Sequence, residues 1–244
     1  MVRPWVEDIR GRLGMGPRLA DRGYMVCAIP RSGSKYLDDL LVSTKVLGSP
    51  REFFNTEARR RHEPAYPAGC RQQARRILTD GATANGIYAV KLFPSHLQRV
   101  QKKLDLFREL PNLRLVVLTR RDVLGQAISF ARALQTGEFA SYRVTSRQPV
   151  YSQQMIAACL DGIIRDQQVW EDILARNEFP WIRLEYENVV ADPQGAVDQI
   201  ANLMGVKLPV PIAPGRVRNE VQRDEINEAW RARFLAETGG TQQG

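Results

Sequence analysis

The chain has 244 residues, of which 43% are hydrophobic and 25% are charged, and its formal net charge at neutral pH is +8. No apolar run is long enough to cross a bilayer, which argues against a membrane span. The length suits a single domain over residues 1–244, with an N-terminal extension over 1–22 and a disordered tail over 238–244. Because the first twenty residues lack the apolar stretch of a secretory signal, we expect a cytoplasmic protein.

Short apolar runs alternate with amphipathic segments along the chain. Runs rich in Val, Ile, Leu or Tyr predict strands at 23–29, 87–93, 113–119 and 181–187. Helical patterns lie between and after them, at 35–45, 68–79, 95–108, 122–136, 150–177, 193–204 and 221–237. The strands are apolar with little alternation, so both faces should be covered. These features predict an α/β fold of three layers, in which helices flank a mostly parallel central sheet.

Two long connections interrupt this alternation, over 46–67 and 137–150. Loops of such length in a compact domain are usually functional or mobile. The first approaches the sheet edge at which open parallel sheets bind their ligands. The second is a candidate surface for pairing with another copy of the chain, so a homodimer is possible.

The cysteines and histidines do not suggest a metal site or a disulfide framework. Cys27, Cys70 and Cys159 are odd in number and widely spaced, and His62 and His96 have no second ligand at a suitable spacing. We therefore predict no metal ion.

The basic charge favours a polyanionic ligand, but the basic residues are scattered along the chain. Nucleic acid and a highly phosphorylated nucleotide both remain open on charge alone. No recognised nucleic-acid-binding motif occurs in the sequence, so we expect no nucleic-acid partner.

A cluster of small, hydroxyl-bearing and cationic residues follows the first predicted strand, at Pro30-Arg31-Ser32-Gly33-Ser34-Lys35. A helix N-terminus presents unpaired N–H groups and a partial positive charge, so this joint is suited to bind a phosphate. The segment lacks the first glycine of a Walker A loop and the hydroxyl residue after the lysine. The usual magnesium ligand is then missing, which favours a metal-free transfer from an activated anhydride.

Three segments resemble a known enzyme family. The hexapeptide 30–35 looks like the 5′-phosphosulfate loop of sulfotransferases that use 3′-phosphoadenosine 5′-phosphosulfate (PAPS). The segment TRRDVLGQAISFARALQTGEF (119–139) is similar to their strand-to-helix segment for the 3′-phosphate, and GSPREFFN (48–55) resembles a Glu-Phe-Phe loop. Together they look like the bacterial carbohydrate sulfotransferases of the trehalose 2-sulfotransferase family, over roughly residues 23 to 238.

The resemblance implies a P-loop-like fold, PAPS as co-substrate and a carbohydrate or glycolipid acceptor. It implies that the nucleotide is bound by the first loop and by the second joint: Arg31, Ser32, Gly33, Ser34, Lys35, Arg120, Arg121 and Ser129. Only one of the two neighbouring arginines is needed for the 3′-phosphate. The implied catalytic residues are Glu52 as general base, Lys91 stabilising the transferred sulfuryl group and Arg31 neutralising the 5′-phosphosulfate.

The acceptor is expected to contact the Glu-Phe-Phe loop, through Ser49, Pro50, Arg51, Phe53, Phe54 and Asn55. The two phenylalanines are also expected to exclude water and raise the pKa of Glu52. The segment 183–193 resembles a stretch seen in several sulfotransferases and is interpreted as structural. The basic segment around Arg216, Arg218 and Arg223 is a candidate for closing over the nucleotide, but without an assigned role.

The sequence departs from the family pattern at four informative positions: Pro30, Lys35, Ser49 and Gly125. The family's sugar-contacting glutamine is replaced by Pro30, which cannot donate a side-chain hydrogen bond, so trehalose is a doubtful acceptor. Lys35 replaces a threonine, Ser49 an acidic residue and Gly125 a serine of the nucleotide helix.

Two other functions remain as alternatives. Gly33-Ser34-Lys35 faintly resembles a kinase phosphate loop, which predicts a P-loop small-molecule kinase that needs Mg-ATP. A basic nucleic-acid-binding module explains the net charge but leaves the three segments unexplained.

Overall fold

The computed structural model describes residues 19–137, 148–212 and 225–239. Four parallel strands form one sheet in the order β2-β1-β3-β4, namely β1 (Arg22–Cys27), β2 (Ile87–Leu92), β3 (Leu113–Thr119) and β4 (Trp181–Glu185). The sequence predicted a strand at each of these places, and all four are confirmed. The parallel sheet flanked by helices confirms the predicted α/β class.

The described helices, in chain order, are α1 (Ser34–Ser43), α2 (Thr56–Arg60), α3 (Cys70–Asp80), α4 (Pro94–Gln101), α5 (Leu106–Glu109), α6 (Val123–Thr136), α7 (Gln153–Arg176), α8 (Tyr186–Ala191), α9 (Pro193–Met204) and α10 (Glu225–Gly239). None of these helices is both long and apolar enough to cross a membrane.

The sheet separates two hydrophobic cores because alternate residues of each strand face opposite sides. Tyr24 and Val26 of β1 pack in the core that includes α1 and α9. Met25 and Cys27 pack in the opposite core, which includes α3, α4, α6, α7 and α10. This arrangement is the predicted three-layer fold.

Strands β1 and β3 are parallel neighbours, so the loops that follow them open at the same edge of the sheet. Both loops lead directly into helices, α1 and α6. The topology thus brings two strand-to-helix joints to one crevice, which is where open α/β sheets bind ligands.

Several predicted element boundaries are wrong, and two of them change the order of elements or the surroundings of the second joint. The helix predicted over 95–108 is split, because the N–H groups of Lys103 and Leu104 both donate to the Val100 carbonyl and close the turn after α4. The strand predicted over 181–187 ends at Glu185, and α8 begins at Tyr186. This early helix places the Glu187 carboxylate where it accepts hydrogen bonds from the backbone N–H groups of Arg121 and Asp122.

The first long connection contains α2, a helix that the sequence did not predict, capped by the Asn55 side chain at the Ala58 N–H. Helix α10 continues to Gly239, two residues into the tail predicted to be disordered. Most of the second long connection, 138–147, lies outside the described residues, as do 1–18, 213–224 and 240–244.

Candidate active site

The loop after β1 turns sharply because two of its residues have left-handed backbone conformations. Arg31 has a φ of 63° and Gly33 a φ of 83°. At Gly33 the position of a Cβ atom would lie 2.0 Å from a ring carbon of Tyr186, at the start of α8. Both the backbone angle and the packed ring therefore require glycine at this position.

Side chains from other elements bind the loop's carbonyl oxygens. The Trp170 indole of α7 donates to the Ala28 carbonyl at 3.0 Å, and the Gln126 amide of α6 donates to the Pro30 carbonyl at 2.7 Å. The Arg120 guanidinium donates to the Arg31 carbonyl at 3.2 Å. These bonds orient the loop before any ligand binds.

The backbone N–H groups at the start of α1 are available to bind a ligand. The cap residue, Gly33, supplies no side-chain hydrogen bond, and the N–H groups of Gly33, Ser34 and Lys35 donate none within the described chain. Ser32 is fully buried, and its Oγ has no hydrogen-bond partner among the described residues. Buried polar groups are normally paired, so this loop has the donors of an anion site.

The second joint contacts the first directly. The Arg31 Nε donates to the Ser129 Oγ of α6 at 2.8 Å, which links two residues that the sequence assigned to opposite ends of a nucleotide. Arg120 lies over the Tyr186 ring at 5.2 Å, and its buried Nε has no hydrogen-bond partner among the described residues. The structure thus brings Arg31, Arg120 and Ser129 together.

Arg121 is not part of this cluster. Its guanidinium pairs with Glu185 at 3.1 Å and donates to the Asn188 amide oxygen at 3.1 Å, and 62% of its side chain is exposed. Lys35 also has a partner outside the loop, because its ammonium pairs with Asp39 one turn along α1.

Glu52 lies beside the C-terminal end of β2. The Lys91 N–H donates to the Arg51 carbonyl at 3.0 Å, so the Glu-Phe-Phe loop runs alongside this strand. One Glu52 oxygen lies 3.3 Å from the Lys91 Nζ, and the other accepts from the Asn55 amide at 2.8 Å. The structure therefore brings the predicted base and the predicted catalytic lysine into contact.

The expectation that the pKa of Glu52 is raised is wrong. Burial does raise it, but the Lys91 ammonium and the Asn55 amide favour the carboxylate more strongly, so the pKa lies below its ordinary value. Phe53 and Phe54 are almost fully buried in the core, where they fix the loop. Their backbone carbonyls accept hydrogen bonds from Tyr66 and Arg99.

The remaining residues predicted to contact the acceptor differ in their burial. Pro50 is buried, whereas Ser49 is half-buried and accepts a hydrogen bond from the exposed Arg51 at 3.1 Å. A cavity of about 230 Å³ is lined by Phe54 and by side chains that include Thr56, Gln73, Arg99 and Lys103.

Four residues of the site were not assigned by the sequence. Gln126 and Trp170 bind loop carbonyls, and Tyr186 packs on Gly33. Gln126 and Tyr186 stand within segments that resemble the family, but a lone tryptophan in an amphipathic helix gives no such signal. Asp38, the fourth, accepts a hydrogen bond from Lys91. The basic stretch from Arg216 to Arg223 lies outside the described residues.

Asp122 connects α10 to the second joint. Its carboxylate caps α6 by accepting from the Gly125 N–H at 3.0 Å and pairs with Arg231 of α10. Within the described residues, no group of three or more His, Cys, Asp or Glu side chains is placed to hold a metal ion.

A parallel sheet with a phosphate-type loop after an interior strand defines an α/β protein of the P-loop-like class. The profile of the Stf0 sulphotransferase family matches residues 23–237, and the chain belongs to that family. This result confirms the resemblance described above and identifies the protein as a sulfotransferase.

Individual relatives agree with this assignment. The chain is 25% identical over 262 aligned residues to trehalose 2-sulfotransferase of Mycobacterium tuberculosis, covering 89% of this chain and 96% of that protein. It is 23% identical to nodulation protein H of Rhizobium meliloti, covering 77% of this chain and 78% of that protein. A solved sulfotransferase from Alicyclobacillus acidocaldarius has the same fold, with a TM-score of 0.51 and 13% identity over 91% of this chain and 93% of that one.

Proposed function

We propose that this sulfotransferase moves a sulfuryl group from PAPS to a hydroxyl group of a sugar, glycolipid or polysaccharide acceptor and releases adenosine 3′,5′-bisphosphate. The observation that carries the proposal is the direct contact between the two joints, through Arg31 and Ser129. A nucleotide with phosphates at both the 5′ and 3′ positions needs two such anchors.

The residues present fit this donor. The N–H groups of Gly33, Ser34 and Lys35, with the buried Ser32 Oγ, supply donors for the 5′-phosphosulfate. The unpartnered Nε of Arg120 and the Ser129 hydroxyl supply donors for the 3′-phosphate. Arg121 is assigned no contact with the nucleotide, because its guanidinium is paired with Glu185 on the exposed side of the joint.

PAPS supplies an activated sulfuryl group, joined to phosphate through a mixed anhydride. In the proposal Glu52 accepts the proton of the attacking hydroxyl group, for which its partly exposed carboxylate is accessible. Arg31 and the loop N–H groups stabilise the negative charge that grows on the departing phosphate. Lys91 lies beside Glu52 and contributes a positive charge at the same sheet edge. We assign no step to a metal ion.

The acceptor class rests on a relative named trehalose 2-sulfotransferase, which supports a carbohydrate acceptor. Pro30 offers no side-chain hydrogen bond, so we do not propose trehalose itself. Cys27, Cys70 and Cys159 are all free thiols, which suits the cytoplasmic location that we propose.

A transfer assay tests the proposal. The purified chain is incubated with ³⁵S-labelled PAPS and a panel of sugars, glycolipids and oligosaccharides, and labelled products are counted. The wild type is expected to label at least one hydroxyl acceptor. Glu52→Gln should lose about 10²- to 10⁴-fold in transfer rate while its Kd for adenosine 3′,5′-bisphosphate stays within about threefold.

Glu57→Gln is the matched control, because Glu57 lies five residues further along, with 85% of its side chain exposed and paired only to Arg61 among the described residues. It should transfer at the wild-type rate. Absence of transfer from PAPS to every acceptor would contradict the proposed function. Normal transfer by Glu52→Gln would contradict only the assignment of the base.

A further inference from the structure

A buried carboxylate lies directly behind the phosphate-type loop. Asp38 is on α1, the helix that begins at Ser34, and its side chain is 8% exposed. Its Oδ2 accepts from the Lys91 Nζ at 2.6 Å, and its buried Oδ1 has no hydrogen-bond partner among the described residues. The neighbouring Asp39 is 26% exposed and pairs with Lys35 instead.

Lys91 is shared by two carboxylates. Only 5% of its side chain is exposed, and its Nζ lies 2.6 Å from Asp38 but 3.3 Å from Glu52. Electrostatic attraction falls with distance, so Asp38 holds the ammonium more closely than Glu52 does. The buried Lys91 ammonium therefore interacts with two carboxylates at once, Glu52 at the proposed reaction centre and Asp38 deeper in the fold.

We propose that Asp38 is a positioning residue that holds Lys91 back from Glu52, so that the Glu52 carboxylate stays basic and reachable for the acceptor hydroxyl group. This inference rests on the proposed function, in which Glu52 is the general base. Without the Asp38 charge, Lys91 pairs fully with Glu52. The proton acceptor is then weaker and is held in an ion pair.

The charged groups around Asp38 and Glu52 determine the directions in which their pKa values shift. Asp38 faces Lys91, Lys35, Glu52 and the buried Tyr24 hydroxyl, and burial raises the pKa of Asp38 to about 6 although Lys91 and Lys35 lower it. Glu52 in turn faces Lys91, Asn55 and the imidazole of His96.

The pKa of Glu52 is higher with an ionised Asp38 than with an uncharged one, because the two carboxylates repel each other and share Lys91. When Asp38 loses its charge, the pKa of Glu52 falls. Between pH 7 and pH 5 the wild type therefore converts from the shared to the fully paired arrangement.

The test compares Asp38→Asn with the wild type. Its kcat for sulfuryl transfer is expected to fall about tenfold or more, with the Kd for adenosine 3′,5′-bisphosphate within about twofold. The acid limb of its kcat–pH profile should shift to lower pH, and the wild-type inflection near pH 6 should disappear. ¹³C-NMR titration of the carboxyl groups, without nucleotide, should show Glu52 titrating at lower pH in the variant.

Asp166→Asn is the control, because Asp166 of α7 is also a partly buried carboxylate whose pKa is raised, chiefly by burial. It should keep the wild-type kcat and pH profile. If circular dichroism shows that Asp38→Asn is unfolded, Asp38→Ser is measured in the same way.

Three results would overturn the inference. The first is an Asp38 variant that is folded and binds nucleotide but keeps the wild-type kcat and pH profile. The second is an unchanged Glu52 titration in that variant. The third is a wild-type carboxyl titration in which the Glu52 signal does not respond to protonation of Asp38, and this result applies even if both variants are unfolded. The proposed function fails separately, if the wild type itself transfers no sulfuryl group.

Discussion

Gly33 shows how one residue determines the geometry of the phosphate-type loop. Its φ of 83° belongs to the left-handed region, and the Tyr186 ring occupies the space that a side chain would need. Tyr186 in turn lies beneath the Arg120 guanidinium. A change at Gly33 therefore affects both joints.

Gly33→Ala is expected to weaken binding of adenosine 3′,5′-bisphosphate at least tenfold and to lower the free energy of unfolding by about 1–3 kcal/mol. Gly205→Ala is the matched control, because its φ is 64° with no atom within 4 Å of the Cβ position. This control should be destabilised by its backbone but keep its affinity. Calorimetric titration and urea unfolding measure the two quantities, and equal affinities for both variants would contradict the role given to the loop.

The neighbouring arginines 120 and 121 make a second comparison at the scale of single residues. Arg120→Ala should weaken binding of adenosine 3′,5′-bisphosphate about tenfold or more, since a hydrogen bond to a charged group is lost. Arg121→Ala should change the Kd by less than about twofold, because its partners are Glu185 and Asn188. If calorimetric titration shows a larger loss of affinity for Arg121→Ala than for Arg120→Ala, the 3′-phosphate contact belongs to Arg121 instead.

Sequence alone was enough to propose Arg31, Ser129 and Glu52 as site residues, because each stands in a segment with a recognisable pattern. It did not distinguish Asp38 from Asp39, which are adjacent in the segment YLDDLL. Only the fold separates them, since Asp38 contacts Lys91, which is 53 residues further along the chain. It also misjudged the direction of the Glu52 pKa, because that depends on how closely Lys91 approaches.

At the scale of elements, the strands were predictable and several boundaries were not. A buried parallel strand is a continuous apolar run, and all four runs formed strands. The break between α4 and α5 depends on a turn closed by backbone hydrogen bonds to Val100, which has no strong sequence signal. The start of α8 at Tyr186 depends on tertiary contacts with the second joint.

Helix α7 supports the phosphate-type loop through one side chain, Trp170, which is buried against β1. Trp170→Phe should lower the free energy of unfolding by about 1–3 kcal/mol, because the buried Ala28 carbonyl loses its donor. Trp181→Phe, at a position that is 44% exposed, should change it by less than about 0.5 kcal/mol. Urea unfolding tests the difference, and equal destabilisation would show that the indole hydrogen bond is unimportant.

At the scale of the whole molecule, ligand binding should stabilise the fold, since both joints are built on the central strands. A hundredfold excess of adenosine 3′,5′-bisphosphate over its Kd should add about 2.7 kcal/mol to the free energy of unfolding. For a chain of this size this corresponds to a rise in Tm of about 5–10 °C. Mg-ATP should give no comparable rise, whereas stabilisation by Mg-ATP alone would favour the kinase alternative.

The single-domain organisation and the homodimer stay predictions. The dimer was inferred from the connection 137–150, most of which lies outside the described residues. The net charge of +8 suits a ligand with several phosphate charges, but the specificity that we propose for such a ligand rests on the paired joints.

The most direct test of these paired joints is calorimetric titration of the wild-type chain with adenosine 3′,5′-bisphosphate, 5′-AMP and 3′-AMP. If each joint holds one phosphate, the bisphosphate should bind at least about tenfold more tightly than either monophosphate, since each charged anchor contributes more than about 1.4 kcal/mol. Equal affinity for the bisphosphate and one of the monophosphates, or no binding of any of the three, would contradict a site that holds the nucleotide at both ends.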